Sequence, residues 1–390
     1  LENIFPILWN DPFVFYFITR FLSALFGALT IIPIYLMGKE MFSRRVGLIS
    51  AALFSVIPYH VYISHVGVPD PLLLFFVTWA IYFSYRFSKS LRYRDIILAA
   101  IMFGIASGIK YNAIILSIIL LLFVFYQLKV SNKINIKVLK DLFVKLIIFG
   151  FISLFTLLLT TSEIITNWDI FWSYKYGRGF LWQLKLNSGP LGLNEYPQAL
   201  MGQLYRIFID TGIVVLPLFG YSIYRAFRKN ILKEEKGSVY IMAGTAIAFI
   251  LFTSRYSHAT SHYFLSVYSL LIVVSAWGIN SLINMWKSRL VLLLILALLF
   301  TLSIYNSLIF LREDTRNIAL KYYENSKEQN SQTYIKGQDL SEADVMNNLN
   351  MKKIKNMLEI NESDVVLTQT PIENNDKIVL IETIGNFFRK

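Results

Sequence analysis

Long apolar runs alternate with short polar gaps along most of this chain. Runs beginning near Phe13, Val46, Pro71, Ile96, Ala113, Leu146, Thr211, Val239, Phe264 and Leu290 each approach the roughly 20 residues that a bilayer core requires. The pattern predicts about ten transmembrane helices. The gaps are of two kinds, and they alternate. One set carries Lys39, Arg44 and Arg45, then Arg86, Lys89, Arg92 and Arg94, then Lys129 to Lys145, then Arg228 to Lys236, then Lys287 and Arg289. The other set is nearly neutral. Because short cytoplasmic loops collect Lys and Arg, the basic set is expected inside. Residues 60–70, 110–112, 163–210, 255–263 and everything after Arg312 are then expected outside. An even number of crossings with an outer C-terminus also puts Leu1 outside. The opening stretch Asn3 to Pro12 is loop-like, so one helix and part of a loop are expected upstream of it.

Composition narrows the class. Apolar residues make up 55% of the 390 and charged residues 16%, which suits a membrane bundle and not a soluble domain. The net charge of +12 lies in the loops that the positive-inside bias already explains, so no nucleic-acid partner is expected. Cysteine is absent, which excludes disulfides, thiolate metal sites and a cysteine nucleophile. After Leu311 the pattern changes. Residues 313–327 and 341–358 read as helices, and 364–368 and 377–382 as short β-branched strands. The expected organisation is an all-α polytopic bundle over 1–311, with a long aromatic outer loop at about 163–210, followed by a small extracytoplasmic α/β domain over 312–390.

The polar residues gather at the outer ends of the spans. His60, His65, His258, His262, Asp70, Lys110 and Arg255 all fall there; Arg20, about two turns inside its helix, is the basic exception. A transporter needs ionisable residues near the midplane, where this chain has few. An outer site suits an enzyme that takes a lipid-linked substrate from the bilayer.

These residues also carry a family resemblance. Arg20-Phe21-Leu22-Ser23 with Gly27, then Gly38 to Arg45, resembles the second span and first inner loop of the dolichyl-phosphate-mannose protein mannosyltransferase-like (GT-C type) glycosyltransferases, a group that includes lipid A aminoarabinose transferases. Tyr62 to Asp70 resembles the exit of that family's third span. Gly104 to Gly108 with Lys110-Tyr111-Asn112, Gly189 to Gly192, Arg255 to Tyr263, and Asp314-Thr315-Arg316 follow in consistent order. The resemblance implies a multi-pass enzyme of the plasma membrane that moves a sugar from a polyprenyl-phosphate donor to an outer-face acceptor. It also implies a catalytic acidic residue in the first outer loop, upstream of this chain's first residue. In a departure from the family, Ser266 and Ser269 stand where many members have proline.

Transfer from such a donor breaks an anomeric C–O bond. The leaving phosphate needs cations, and the acceptor hydroxyl needs a carboxylate. Lys110 and Arg255 are the candidates for the phosphate, or else snorkelling anchors. Arg20 either binds phosphate or pairs with a carboxylate such as Asp70. Asp70, between two prolines, is either the acidic site residue or a helix N-cap. His65 and His262 are hydrogen-bonded caps or, with Asp70, ligands of a divalent metal. Tyr111, Tyr256 and Tyr263 stack on sugar or belong to an interfacial belt. Trp168, Trp172 and Trp182, with Tyr174 and Tyr176, read as an interfacial segment over the cavity. The rival readings are a transporter or lipid flippase, and a non-catalytic relative.

Overall fold

The structure is a computed structural model that describes residues 13–132, 135–172, 195–228, 231–255 and 260–311, and the strand segments 333–336, 352–353 and 365–368. The chain separates into two compact units, 1–307 and 308–390. The first is helical. Its elements begin where local chemistry stops a run. Ser43 accepts a hydrogen bond from the Val46 amide to start Arg44–Ser55, and Asn135 does the same for Val138 ahead of Ile136–Thr160. Pro58 opens Pro58–His65 and Pro71 lies in the first turn of Asp70–Ser90. Leu91, at φ 51°, turns the chain out of the latter helix.

Among the described residues, six helices are long and apolar enough to cross a membrane: Tyr16–Met41, Ala113–Val130, Ile136–Thr160, Lys233–Thr253, Ser261–Trp286 and Leu290–Leu311. Two bent pairs, Arg44–Ser55 with Pro58–His65 (55°) and Tyr196–Asp210 with Val215–Ala226 (103°), raise the number to eight. By length and composition alone these account for eight of the expected ten. The other two expected crossings do form helices, but Asp70–Ser90 is diluted by Asp70, Arg86, Lys89 and its aromatics, and Tyr93–Ile109 has only 17 residues. The last part of the expected outer loop of about 163–210 forms the helix Tyr196–Asp210.

Burial separates core from rim. Ser261–Trp286 is 83% buried across its most apolar window and forms the centre, packed by Val215–Ala226, Arg44–Ser55 and Lys233–Thr253. Ile136–Thr160 and Leu290–Leu311 are 11% buried and present Phe143, Phe151, Leu159, Leu293 and Leu294 outward. So large an apolar rim is what lipid covers, and the protein is a multi-pass membrane protein. Close approach between helices uses small residues. A Cβ at Gly104 would sit 2.6 Å from the Ser153 carbonyl oxygen and from Thr156 Cβ, so only glycine lets Tyr93–Ile109 lie against Ile136–Thr160. Ser266 and Ser269, the two departures from the family pattern, are both fully buried. Ser266 lies in a 3-10 turn, Leu265–Val267, that joins Ser261–Phe264 to Tyr268–Trp286, and Ser269 lies in the first turn of that last helix.

In the second unit three short strands form a parallel sheet in the order β2–β1–β3: Lys352–Lys353, Thr333–Lys336 and Val365–Thr368. Tyr334 pairs with Lys352 on one side and Val366 on the other. β3 falls where a strand was expected. β2 lies inside the expected helix 341–358, because pairing with a neighbouring strand overrides a local helical pattern. The expected helix 313–327 and strand 377–382 lie outside the described residues.

Candidate functional site

Asp70 and Lys110 meet at one end of the bundle. Lys110 follows the Tyr93–Ile109 helix, whose close packing against Asp70–Ser90 brings the two helix ends together. The Lys110 ammonium donates to Asp70 Oδ1 at 2.5 Å, with the carboxylate almost wholly buried and the ammonium one-fifth exposed. The same ammonium lies 5.3 Å from the centre of the Tyr263 ring. Tyr263 stacks on His262 at 4.5 Å, and His262 Nδ1 shares a 2.8 Å hydrogen bond with the Thr260 hydroxyl. His262 also lies within electrostatic reach of Lys110 and Asp70. Four residues expected at the site, Asp70, Lys110, His262 and Tyr263, are thus assembled by the fold from three separate segments.

The remaining expected residues do not join them in the same way. Asp70 opens its helix behind Pro69 and spends its carboxylate on Lys110, so it is more than a cap. Its partner is Lys110 and not Arg20, which is exposed and forms no ion pair among the described residues. Arg255 follows the Lys233–Thr253 helix, exposed and likewise without an ion pair among the described residues. His65 turns its Nδ1 back to the Val61 carbonyl at 2.7 Å, one turn away on its own helix. Tyr111 lies edge-on to Phe171 at 5.7 Å, beside the Trp168–Trp172 ring pair. Tyr256, His258, Trp182, Tyr174 and Tyr176 lie outside the described residues. His60 is a core residue, stacked on Phe54 at 3.9 Å and bonded to the Gly27 backbone. Among the described residues no three His, Cys, Asp or Glu side chains come close enough to hold a metal, so Asp70, His65 and His262 do not form the metal site expected as their alternative role.

A second carboxylate at this end was not singled out in the sequence. Asp210 ends Tyr196–Asp210, where the Tyr268 hydroxyl donates to its Oδ2 at 3.5 Å and the Ser261 hydroxyl also bonds to it. Tyr59 lies within electrostatic reach of both Asp210 and Asp70. A sequence reading that treats Asp210 as the edge of a loop misses it, since its partners come from the distant Ser261 and Tyr268 and from Pro58–His65. The signal in the sequence was an acidic residue shortly before a glycine turn that leads into a new span.

The chain's first half carries a recognisable signature. Residues 16–154 match the sequence model of the dolichyl-phosphate-mannose-protein mannosyltransferases. No curated protein matches the chain. Among solved structures, the Archaeoglobus fulgidus oligosaccharyltransferase, in complex with Zn and sulfate, is similar at 16% identity and a TM-score of 0.52, covering 88% of this chain and 51% of that one. ArnT from Cupriavidus metallidurans in the apo state is similar at 15% identity and a TM-score of 0.46, covering 70% of this chain and 47% of that one. The chain thus spans about half the length of the solved proteins it matches. The order of motifs read from the sequence, the match of residues 16–154, the segment that holds Asp70 and Lys110, to the dolichyl-phosphate-mannose-protein mannosyltransferase model, and the fold shared with the archaeal oligosaccharyltransferase agree with one another.

Proposed function

We propose that this protein is a membrane glycosyltransferase that moves a sugar from a polyprenyl-phosphate donor to an acceptor at the outer face of the plasma membrane. The observation that carries this reading is the Asp70–Lys110 pair, set against His262 and Tyr263 at the end of the bundle remote from the basic loops. Positive-inside bias puts that end outside, together with residues 312–390 as an extracytoplasmic α/β domain.

In this reading Lys110 meets the donor phosphate. The ammonium stabilises the charge that grows on the leaving oxygen as the anomeric C–O bond breaks, and polyprenyl phosphate departs with the bonding pair. The acceptor oxygen forms the new bond to the anomeric carbon. Its proton passes to Asp70, whose other oxygen keeps Lys110 in place. Tyr263 and His262 wall the cation, and a partly desolvated cation attracts phosphate more strongly than one in bulk water.

The test uses the full chain in proteoliposomes with radiolabelled polyprenyl-phosphate mannose, glucose, galactose and N-acetylglucosamine as a panel of donors, and measures release of polyprenyl phosphate. Lys110→Met and Asp70→Asn should each lower release roughly a hundredfold, the usual scale for losing one transition-state electrostatic contact, with unchanged melting temperature. Full release by both variants would overturn the reading, and so would movement of intact donor across the bilayer without cleavage.

A further inference from the structure

We propose that Asp210 is the carboxylate that grips the hydroxyls of the donor's sugar, with Tyr59 as the ring beside it. This rests on the glycosyl-transfer reading and deepens it by assigning the sugar its own subsite, apart from the phosphate at Lys110.

The position of Asp210 is not one that local helix chemistry favours. It is the last residue of Tyr196–Asp210, where the helix dipole presents its negative end and a carboxylate is disfavoured. The backbone there is also forced. The chain bends by 103° through residues 211–214, with Gly212 at φ 77° and Ile213 at φ 59°, a conformation that a β-branched residue seldom adopts. A side chain on Gly212 would meet Leu299 and Pro58, so the bend is seated on the first turn of Pro58–His65. Tyr59 is the next residue of that turn. The strained bend therefore delivers a carboxylate to a tyrosine.

What surrounds the carboxylate suits a polyhydroxy ligand. Ser261 and Tyr268 place hydroxyls on it, and Arg206 lies within electrostatic reach. A carboxylate can accept about four hydrogen bonds, so two hydroxyl partners leave capacity for two more. Asp210, Ser261, Tyr59 and Tyr62 are all only partly buried, which gives a ligand access to them. The Tyr59 ring lies 6.1 Å from Tyr62 and 6.4 Å from Tyr268 in an edge-on contact, forming a row of rings. Sugars use these two features together, with hydroxyls on carboxylates and apolar ring faces against aromatics.

Charge then fixes the order of the donor in the site. Asp210 repels a phosphate, whereas Lys110 attracts one. Tyr59 stands within reach of both Asp210 and Asp70, so the two subsites share one wall. A donor whose phosphate sits at Lys110 has its sugar directed toward Asp210.

The discriminating experiment measures dissociation constants of the full chain in nanodiscs for sugarless polyprenyl phosphate and for polyprenyl-phosphate mannose, glucose, galactose and N-acetylglucosamine. Asp210→Asn should weaken the best sugar donor tenfold or more and change sugarless polyprenyl phosphate less than twofold. Tyr268→Phe, which removes a hydroxyl without altering charge, should move the same ratio by a smaller factor and provides the reading if Asp210→Asn fails to fold. Equal weakening of both ligands, no weakening of either, or a wild-type protein to which no sugar adds affinity would overturn the assignment. Wild-type protein that binds polyprenyl phosphate no better than phosphatidic acid would sink the glycosyl-transfer reading itself, a result separate from any of these.

Discussion

The two ends of the Asp70–Ser90 helix, about 30 Å apart at the rise of an α-helix, use the same residue types in opposite ways. At the Ser90 end most polar groups bond one another across helices, with Asp95 Oδ1 the buried exception that takes no hydrogen bond. The Tyr82 hydroxyl donates to Glu40 at 2.7 Å and accepts from Arg86 at 3.4 Å, and Tyr85 donates to the Glu40 carbonyl. Asp95 is wholly buried, takes the Ser90 hydroxyl at 2.7 Å, and has Arg86 and Arg94 at 3.7 Å. Lys89 reaches Glu234 at 2.7 Å, and the Trp277 indole donates to Glu235. At the Asp70 end, among the described residues, one ion pair lies among rings, with a second carboxylate nearby and side chains left partly open. Groups that use most of each other's bonding capacity inside the bundle hold helices in place; groups that keep some in reserve at a partly open surface are available to a ligand.

The sharpest way to break this comparison is to exchange the charges of the Asp70–Lys110 pair. Asp70→Lys with Lys110→Asp keeps an ion pair but moves the cation. The melting temperature should hold while polyprenyl phosphate release falls roughly a hundredfold, since electrostatic catalysis depends on where the charge sits. If release persists, the pair is a strut like those at the other end.

The converse variant is Asp95→Ala. It leaves Arg86 and the Ser90 hydroxyl without their buried partner, so stability in detergent should drop by roughly 2 kcal/mol, with release per folded molecule unchanged within twofold. A selective loss of activity would erase the division between ends. Smaller still is Lys89→Met. Its pair with Glu234 is 30% and 57% exposed, so thermal unfolding should register less than about 1 kcal/mol. Smallest of all is Arg255→Gln. With no ion pair among the described residues to lose, it should change donor affinity less than threefold, and a tenfold loss would return Arg255 to the phosphate site.

Much of the site was legible because interfacial chemistry leaves marks in sequence. Asp70 between prolines, Lys110 after a glycine-containing helix, and the His262–Tyr263 pair all stand at ends of apolar runs, where polar residues need a reason to be. Which of them touch could not be read, because Lys110 has several carboxylates and phosphates as potential partners until the helices are packed. Arg20 was as good a partner for Asp70 on paper. Asp210 escaped notice for a related reason: its helix is short, amphipathic and bent away from the following span, and a reading based on long apolar runs assigns such a segment to a loop.

By itself the sequence determined that the chain is a helical membrane protein, where its polar residues cluster, and which family model residues 16–154 match, since apolar run length, loop charge and motif order are properties of the linear chain. Only the tertiary structure decided that Asp70 takes Lys110, that His60 stacks on Phe54 in the core, and that Asp210 arrives beside Tyr59. Those pairings follow from helix crossings and from one strained bend, which depend on side chains distant in sequence meeting in space.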